Sequence, residues 1–317
     1  MSHRKIIAVM GATGAQGGGL ARAILRDPAG GFAVRALTRH TESDRAKALA
    51  RFGADVTFAD ADVPETLERA FEGAYGAFCL TNFWEHFSPR RELAQAGAMA
   101  RAARRVGLQH VIWSTLEDTR RWVPLDDDRM PTLMGNYKVP HFDAKGEANQ
   151  IFTELRLPTT FMLTSFYWDN FINFGLQPTR GKDGTLTIEL PMSDKKLPGM
   201  AAEDIGRCAY GLFKKSTEFA GKTVGIAGEH LTGTALAAQL SEALGEEVRY
   251  EDMPPDVYRT LPLAGAPELA NMFQFKRDFQ EVFCGARDVA FSRALNPLLQ
   301  TFRQWLAENK RCIPVAR

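Results

Sequence analysis

Three glycines in the run Gly11-Ala12-Thr13-Gly14-Ala15-Gln16-Gly17 carry the clearest chemical signal in this chain. Glycines at a strand-to-helix turn let an anion come against backbone N–H groups where a helix begins, and the helix dipole favours negative charge there. The pyrophosphate of a dinucleotide is the ligand that such a turn takes, which assigns Gly11, Thr13, Gly14, Ala15, Gln16 and Gly17 to cofactor binding. The spacing is GxxGxxG rather than GxGxxG. Gly18 and Gly19 extend the run into the helix at a cost in helix stability, and close packing on the sheet accounts for them. About 20 residues beyond such a motif, NAD-preferring folds place an Asp or Glu on the ribose 2'-hydroxyl. This chain instead reads Leu37-Thr38-Arg39-His40. A cation with no competing acid suits a 2'-phosphate, so Arg39 predicts NADP(H), preferred over NAD(H). Asp60 and Asp62 follow the third strand and have two readings, a carboxylate on the adenine amino group or ordinary turn aspartates ahead of Pro64. Thr81-Asn82-Phe83-Trp84 falls at the carboxyl end of the fourth strand, where open α/β sheets bind ligands. Its polar groups are in place for a ribose, while Phe83 and Trp84 serve equally as lid or packing.

The elements that must position these residues are legible from periodicity. Residues 6–10 form an apolar strand without polar alternation, as expected where helices cover both faces, and 15–26 follow with helical spacing. The alternation continues with strands at 32–38, 55–58, 76–81, 110–114 and 159–163. Helices are expected between them at 42–52, 64–71, 88–106 and 141–155. That order predicts an α/β chain with a Rossmann-type doubly wound parallel sheet. A polar stretch, 117–135, holds Asp126-Asp127-Asp128 and two prolines and reads as a mobile surface loop. Beyond Thr164 the pattern loosens into aromatic-rich 166–174, a hairpin at 181–190, a helix at 202–214, a strand at 223–227 and a helix at 234–244. The end, 298–309, is amphipathic, with Leu299, Phe302, Trp305 and Leu306 on one side. We therefore expect a dinucleotide-binding domain over 1–164 and a smaller mixed α/β C-terminal lobe over 165–317, with a cleft between them and some segments returning to the sheet.

Composition narrows the function classes. The chain has 317 residues, with 39 basic against 38 acidic side chains and a net charge of +1. That leaves no basic excess to neutralise a phosphate backbone, which disfavours direct nucleic-acid binding. No run approaches the ~20 apolar residues of a membrane span, and Met1-Ser2-His3-Arg4-Lys5 leads into a strand without a signal-peptide core, so a cytoplasmic protein is expected. Cys79, Cys208, Cys284 and Cys312 lie far apart without metal-ligand spacing and read as free thiols, with no metal site.

Four segments resemble the NmrA-like family of atypical short-chain dehydrogenases, and in particular its NADPH-sensor subgroup. They are residues 9–18, Thr81-Asn82-Phe83-Trp84-Glu85, His141-Phe142-Asp143-Ala144-Lys145-Gly146-Glu147 and Leu269-Ala270-Asn271-Met272-Phe273. The resemblance implies an NADP(H) site with Arg39 on the 2'-phosphate and Asp60 and Ala61 near adenine. Thr81, Asn82 and Phe83 would lie along the ribose and nicotinamide, with Lys145 on the nicotinamide ribose. Phe166, Tyr167 and Trp168, with Asp169, would form the loop that closes over the nicotinamide. Ala94 stands where that subgroup has a basic residue. Reductases of this superfamily pair a Tyr-x-x-x-Lys with a serine, the tyrosine acting as general acid. Here His141 precedes Lys145 by four positions, so the proton donor is replaced. Histidine is chemically able to donate a proton near neutrality, or simply to pack the start of the helix. Ser114 takes the serine's place or merely closes a strand end. Tyr137, eight residues before Lys145, is a poor substitute, and Asp143 and Glu147 read as capping or solvated helix residues.

Two functions follow. One is a non-catalytic, redox-sensing regulator whose cofactor alters dimerisation or a protein partner. The other is an NADPH-dependent reductase of quinones, imines or aromatic carbonyls, with Phe166, Met272 and Phe273 among the residues able to line an apolar pocket. A homodimer is compatible with either.

Overall fold

The computed structural model describes residues 4–315; Met1, Ser2 and His3, read above as the lead into the first strand, lie outside the described residues. The chain folds into two compact units, each assembled from separate stretches of sequence. Among the described residues, the first comprises 4–118, 141–164 and 202–224, and the second 119–140, 165–201 and 225–315.

The first unit alternates β1 (Lys5–Val9), α1 (Ala15–Leu25), β2 (Phe32–Thr38), α2 (Asp44–Arg51), β3 (Asp55–Phe58), α3 (Pro64–Phe71), β4 (Gly76–Cys79), α4 (Pro89–Val106), β5 (His110–Thr115), α5 (Pro140–Glu154) and β6 (Thr159–Leu163). Strands β1 to β6 pair in parallel, β1 lying between β2 and β4. A later strand, Thr223–Gly225, joins beside β6 to give seven strands. This is a Rossmann-type sheet. Ile7, Ala8 and Val9 are wholly buried, as the absence of polar alternation requires when helices cover both faces. Proline opens α3 and α4, where its missing N–H costs nothing, and Ser88 caps α4 by accepting from the Arg91 N–H. On one face Trp113 of β5 stacks on Phe152 of α5 at 5.1 Å.

The second unit holds β7 (Phe166–Tyr167), α6 (Asn170–Asn173), β8 (Thr179–Arg180), β9 (Leu186–Leu190) and β10 (Lys196–Met200). After α7 (Ala202–Lys214) and β11 (Thr223–Gly225), it resumes with β12 (Glu229–Thr232), α8 (Gly233–Leu244), β13 (Val248–Asp252) and α9 (Pro255–Tyr258). It closes with α10 (Ala266–Asp278), α11 (Gln280–Gly285), α12 (Val289–Leu295) and α13 (Phe302–Asn309). Its strands form two three-stranded sheets, β12-β10-β7 and β13-β9-β8, the hairpin pairing β8 with β9 antiparallel.

Four local expectations are corrected. The stretch 117–135 is pinned rather than loose: Val123 and Met130 are buried, Asn271 donates to the Pro131 carbonyl, Gln274 donates to that of Arg129, and Lys138 Nζ donates to those of Asp127 and Met130. Helix α10 thus supplies the hydrogen bonds that the segment's own sequence lacks. The terminal helix starts at Phe302, where Thr301 and Gln304 form a capping box, and Leu298 stays exposed. Leu299, Phe302, Trp305 and Leu306 are buried as a set, and Trp168 lies 5.3 Å from Phe302 within the same unit. Gly19 packs on helix α7 rather than on the sheet: a Cβ there would stand 2.5 Å from the Glu203 carbonyl oxygen. Asp143, finally, is fully buried in the first turn of α5 rather than solvated, while Glu147 is exposed.

Candidate dinucleotide site

The glycine run sits where the sequence requires. Gly11 has φ +59°, a left-handed conformation that side chains disfavour, and turns the chain from β1 toward α1. Gly14 is the N-cap of α1 and provides no side-chain cap, and the first turn carries no acid. The helix therefore begins with backbone donors and a positive dipole end left for an anion. A Cβ on Gly17 would lie 2.5 Å from the carbonyl oxygens of Met10 and Gly11, so the turn closes only around glycine. Gly14 and Ala15 are exposed, and the Arg45 side chain from α2 reaches the Thr13 carbonyl at 3.4 Å. These features fit a pyrophosphate.

Arg39 stands just past the end of β2, half-exposed. Its guanidinium grips the Glu85 carboxylate with both terminal nitrogens, at 2.6 and 2.9 Å. The hydrogen bond to Glu85 raises the Arg39 pKa further and holds Glu85 below the usual carboxylate range. Glu85 ends a short 3-10 turn, Phe83–Glu85, that follows β4. Asp60 accepts from the Asp62 N–H, the Asx geometry of a turn aspartate. Asp62 itself receives Arg91 and Gln95, which lowers its pKa, the Arg91 hydrogen bond being the main cause.

A buried polar chain runs beneath this turn. Lys145 Nζ donates to the Thr81 carbonyl at 3.2 Å and the Thr81 hydroxyl at 2.6 Å, and lies 2.7 Å from Glu92 Oε1. The Thr81 hydroxyl in turn donates to Glu92 Oε1 at 2.5 Å. Glu92 is fully buried on α4. Its other oxygen faces His86 Nε2 at 3.5 Å, and His86 Nδ1 accepts from the Ser88 N–H. His141, one turn before Lys145, is enclosed by aromatic rings, with Trp84 at 4.8 Å, Phe142 at 4.7 Å and Phe83 at 5.9 Å. Ser114 donates to Gln16 Oε1 at 2.8 Å, joining the strand-five serine to the glycine turn. The first unit thus gathers Gly11 to Gly17, Arg39, Asp60, Ala61, Thr81, Asn82, Phe83, Ser114, His141 and Lys145.

Phe166, Tyr167 and Trp168 belong to the second unit. Phe166 packs on Phe171 and Phe273, and Trp168 on Phe302 and Trp305, within that unit's core. Met272 and Phe273 are likewise buried there. The same unit has a cavity of about 210 Å³ lined by Leu176, Tyr258, Leu261 and Leu263, small for a drug-sized ligand. Tyr137 bridges to Leu133 outside α5, with Arg120 over its ring. The sequence reading gave Glu85 and Glu92 no role; a signal was available in their acids, spaced four and eleven residues beyond Thr81, but not their partners. Among the described residues, no cluster of His, Cys, Asp and Glu is arranged to hold a metal, and no helix is long and apolar enough to cross a membrane.

A model of the NmrA-like family matches residues 3–305. The chain belongs to the NmrA-like family. Among curated proteins it is 28% identical over 294 residues to the NmrA-like family domain-containing oxidoreductase FrzB of Cladobotryum sp, covering 85% of this chain and 83% of that protein. Among solved structures it superposes on NmrA, a negative transcriptional regulator, in complex with NADP. The TM-score is 0.78, with 25% identity and coverage of 96% and 95% of the two chains. Triphenylmethane reductase of Citrobacter sp. in complex with NADP(H) shares the fold at TM-score 0.75 and 19% identity, with 95% and 99% covered. NmrA-like architecture thus accommodates proteins described as regulators and proteins described as reductases.

Proposed function

We propose that this NmrA-like chain is an NADP(H)-binding, redox-sensing regulator of the cytoplasm, akin to the NADPH-sensor subgroup, whose dehydrogenase site is degenerate. The observation that carries this reading is the bonding of Lys145. Its three ammonium hydrogens have partners in the Thr81 carbonyl, the Thr81 hydroxyl and Glu92, and the position that holds tyrosine in Tyr-x-x-x-Lys enzymes is His141, enclosed by aromatic rings. The glycine turn would hold the pyrophosphate, Arg39 the 2'-phosphate, Asp60 and Ala61 the adenine edge, and Thr81, Asn82 and Phe83 the ribose and nicotinamide side. The bound cofactor supplies hydride chemistry where a substrate is present, and otherwise a ligand whose two redox forms a sensor must bind with different free energies. NADP(H) is preferred over NAD(H) because Arg39 offers a cation where NAD-selective folds offer an acid.

The test combines binding with turnover. Hydrogen exchange and size-exclusion chromatography with NADP, NADPH or NAD should show protection over residues 11–17 and a changed association state. A panel of quinones, imines and aromatic carbonyls should not accelerate NADPH loss. The second reading, a reductase of such acceptors, draws on the retention of Lys145 one helical turn from a titratable His141. Acceptor-dependent NADPH oxidation that Lys145→Ala abolishes would establish it in place of the first.

A further inference from the structure

We propose that Glu85 is the residue that sets cofactor discrimination at this site: its carboxylate holds the Arg39 fork as an internal stand-in for a 2'-phosphate, and NADP(H) engages Arg39 only by exchanging with it. The proposal rests on the nicotinamide-dinucleotide reading above.

Both terminal nitrogens of Arg39 point at Glu85, at 2.6 and 2.9 Å, the fork-on-fork arrangement that guanidinium makes equally with carboxylate or phosphate. The same edge of Arg39 cannot serve both at once. Asp60 and Asp62 also act on Arg39, and the nearby Arg91 is committed to Asp62 through Nε and Nη2 at 3.2 and 2.5 Å. Taking Arg39 and Arg91 as positive and Asp60, Asp62 and Glu85 as negative leaves this cluster one charge on the acidic side. A phosphate arriving at Arg39 therefore meets a carboxylate already in its seat, which lowers the NADP(H) preference that Arg39 gives without abolishing it. NAD(H) makes no such demand. Its neutral 2'-hydroxyl can donate to the Glu85 carboxylate and leave the Arg39 pair intact.

The exchange has a structural reach because of where Glu85 is attached. The turn carrying it also carries Phe83 and Trp84, whose rings enclose His141 at the start of α5. NAD(H) leaves the turn tied to Arg39, whereas NADP(H) frees its acidic end. The two cofactors thus differ in their contacts with one element, which is what a ligand must do to shift a conformational equilibrium.

Titration calorimetry on the full chain with NADP+ and NAD+ tests this, comparing wild type with Glu85→Gln and Arg39→Ala. Glu85→Gln keeps shape and removes the competing charge. It should tighten NADP+ about three- to fivefold, the range that a half-exposed pair of up to about 1 kcal/mol allows, and leave NAD+ unchanged or weaker. Arg39→Ala should weaken NADP+ and spare NAD+. As an independent readout, NADP+ but not NAD+ should change the tryptophan emission of wild type, and Trp84→Phe should abolish that change. A Glu85→Gln protein whose NADP+ to NAD+ affinity ratio equals that of wild type overturns the proposal while leaving the cofactor reading intact. A wild-type chain that binds neither dinucleotide overturns both.

Discussion

Lys145 illustrates how much a residue's neighbours decide. The family resemblance implies a ribose contact for it, and in the folded chain its ammonium is held by Thr81 and by a fully buried carboxylate on α4. Removing one member of a buried ion pair leaves the other charge uncompensated, which costs more than the pair contributes. Glu92→Gln should therefore destabilise the chain by about 3 kcal/mol in urea unfolding. A silent Glu92→Gln would show that the carboxylate is not held there by Lys145. Replacing Thr81 by valine removes the shared hydroxyl and should cost about 1–2 kcal/mol by the same measurement.

At the scale of elements, the α1 and α7 helices meet through glycine. A Cβ on Gly19 would stand 2.5 Å from the Glu203 carbonyl oxygen, and one on Gly206 would run into the backbone of Gly19 and Leu20. Backbone cannot rotate away as a side chain can, so Gly206→Ala should lower stability by about 3 kcal/mol, with the loss read in thermal or urea unfolding. A second element-scale test is acid. His110 opens β5 with no exposure. Its Nε2 bonds the Thr160 hydroxyl, which itself donates to the Phe219 carbonyl, and burial pushes its pKa down to about 4. The unfolded chain binds this proton near the ordinary histidine pKa of about 6.5, and the folded chain only near 4. The stability from keeping His110 neutral is thus present above about 6.5 and declines as pH falls toward 4, by about 3 kcal/mol in all. Urea midpoints measured between pH 7.5 and 4.5 should fall in wild type and fall less in His110→Gln.

For the whole molecule, every residue proposed for the cofactor except Phe166, Tyr167 and Trp168 lies in the first unit; Phe166 and Trp168 are built into the core of the second, where Tyr167 is half-buried. A ligand that binds only folded protein stabilises it by mass action, by about 2.7 kcal/mol at a concentration 100 times Kd. NADP+ should therefore raise the thermal midpoint, and in hydrogen exchange the gain in protection should concentrate in 11–17. Uniform protection of both units would instead indicate that they unfold as one cooperative block.

The sequence by itself determined the parallel sheet, because buried strands need unbroken apolar runs and the glycine turn needs φ values that few other residues adopt. It also located Arg39, Thr81, His141 and Lys145, since local spacing fixes which end of a strand or helix a residue occupies. Only the tertiary structure decided what these side chains touch. Glu85 lies 46 residues beyond Arg39, and Glu92 53 residues before Lys145, and no local period registers such pairings. The same holds for residues 117–135, whose composition reads as loop until α10, remote in sequence, supplies its hydrogen bonds. Backbone pattern is a local property of the chain, whereas the partner of a charge is set by how the chain folds back on itself.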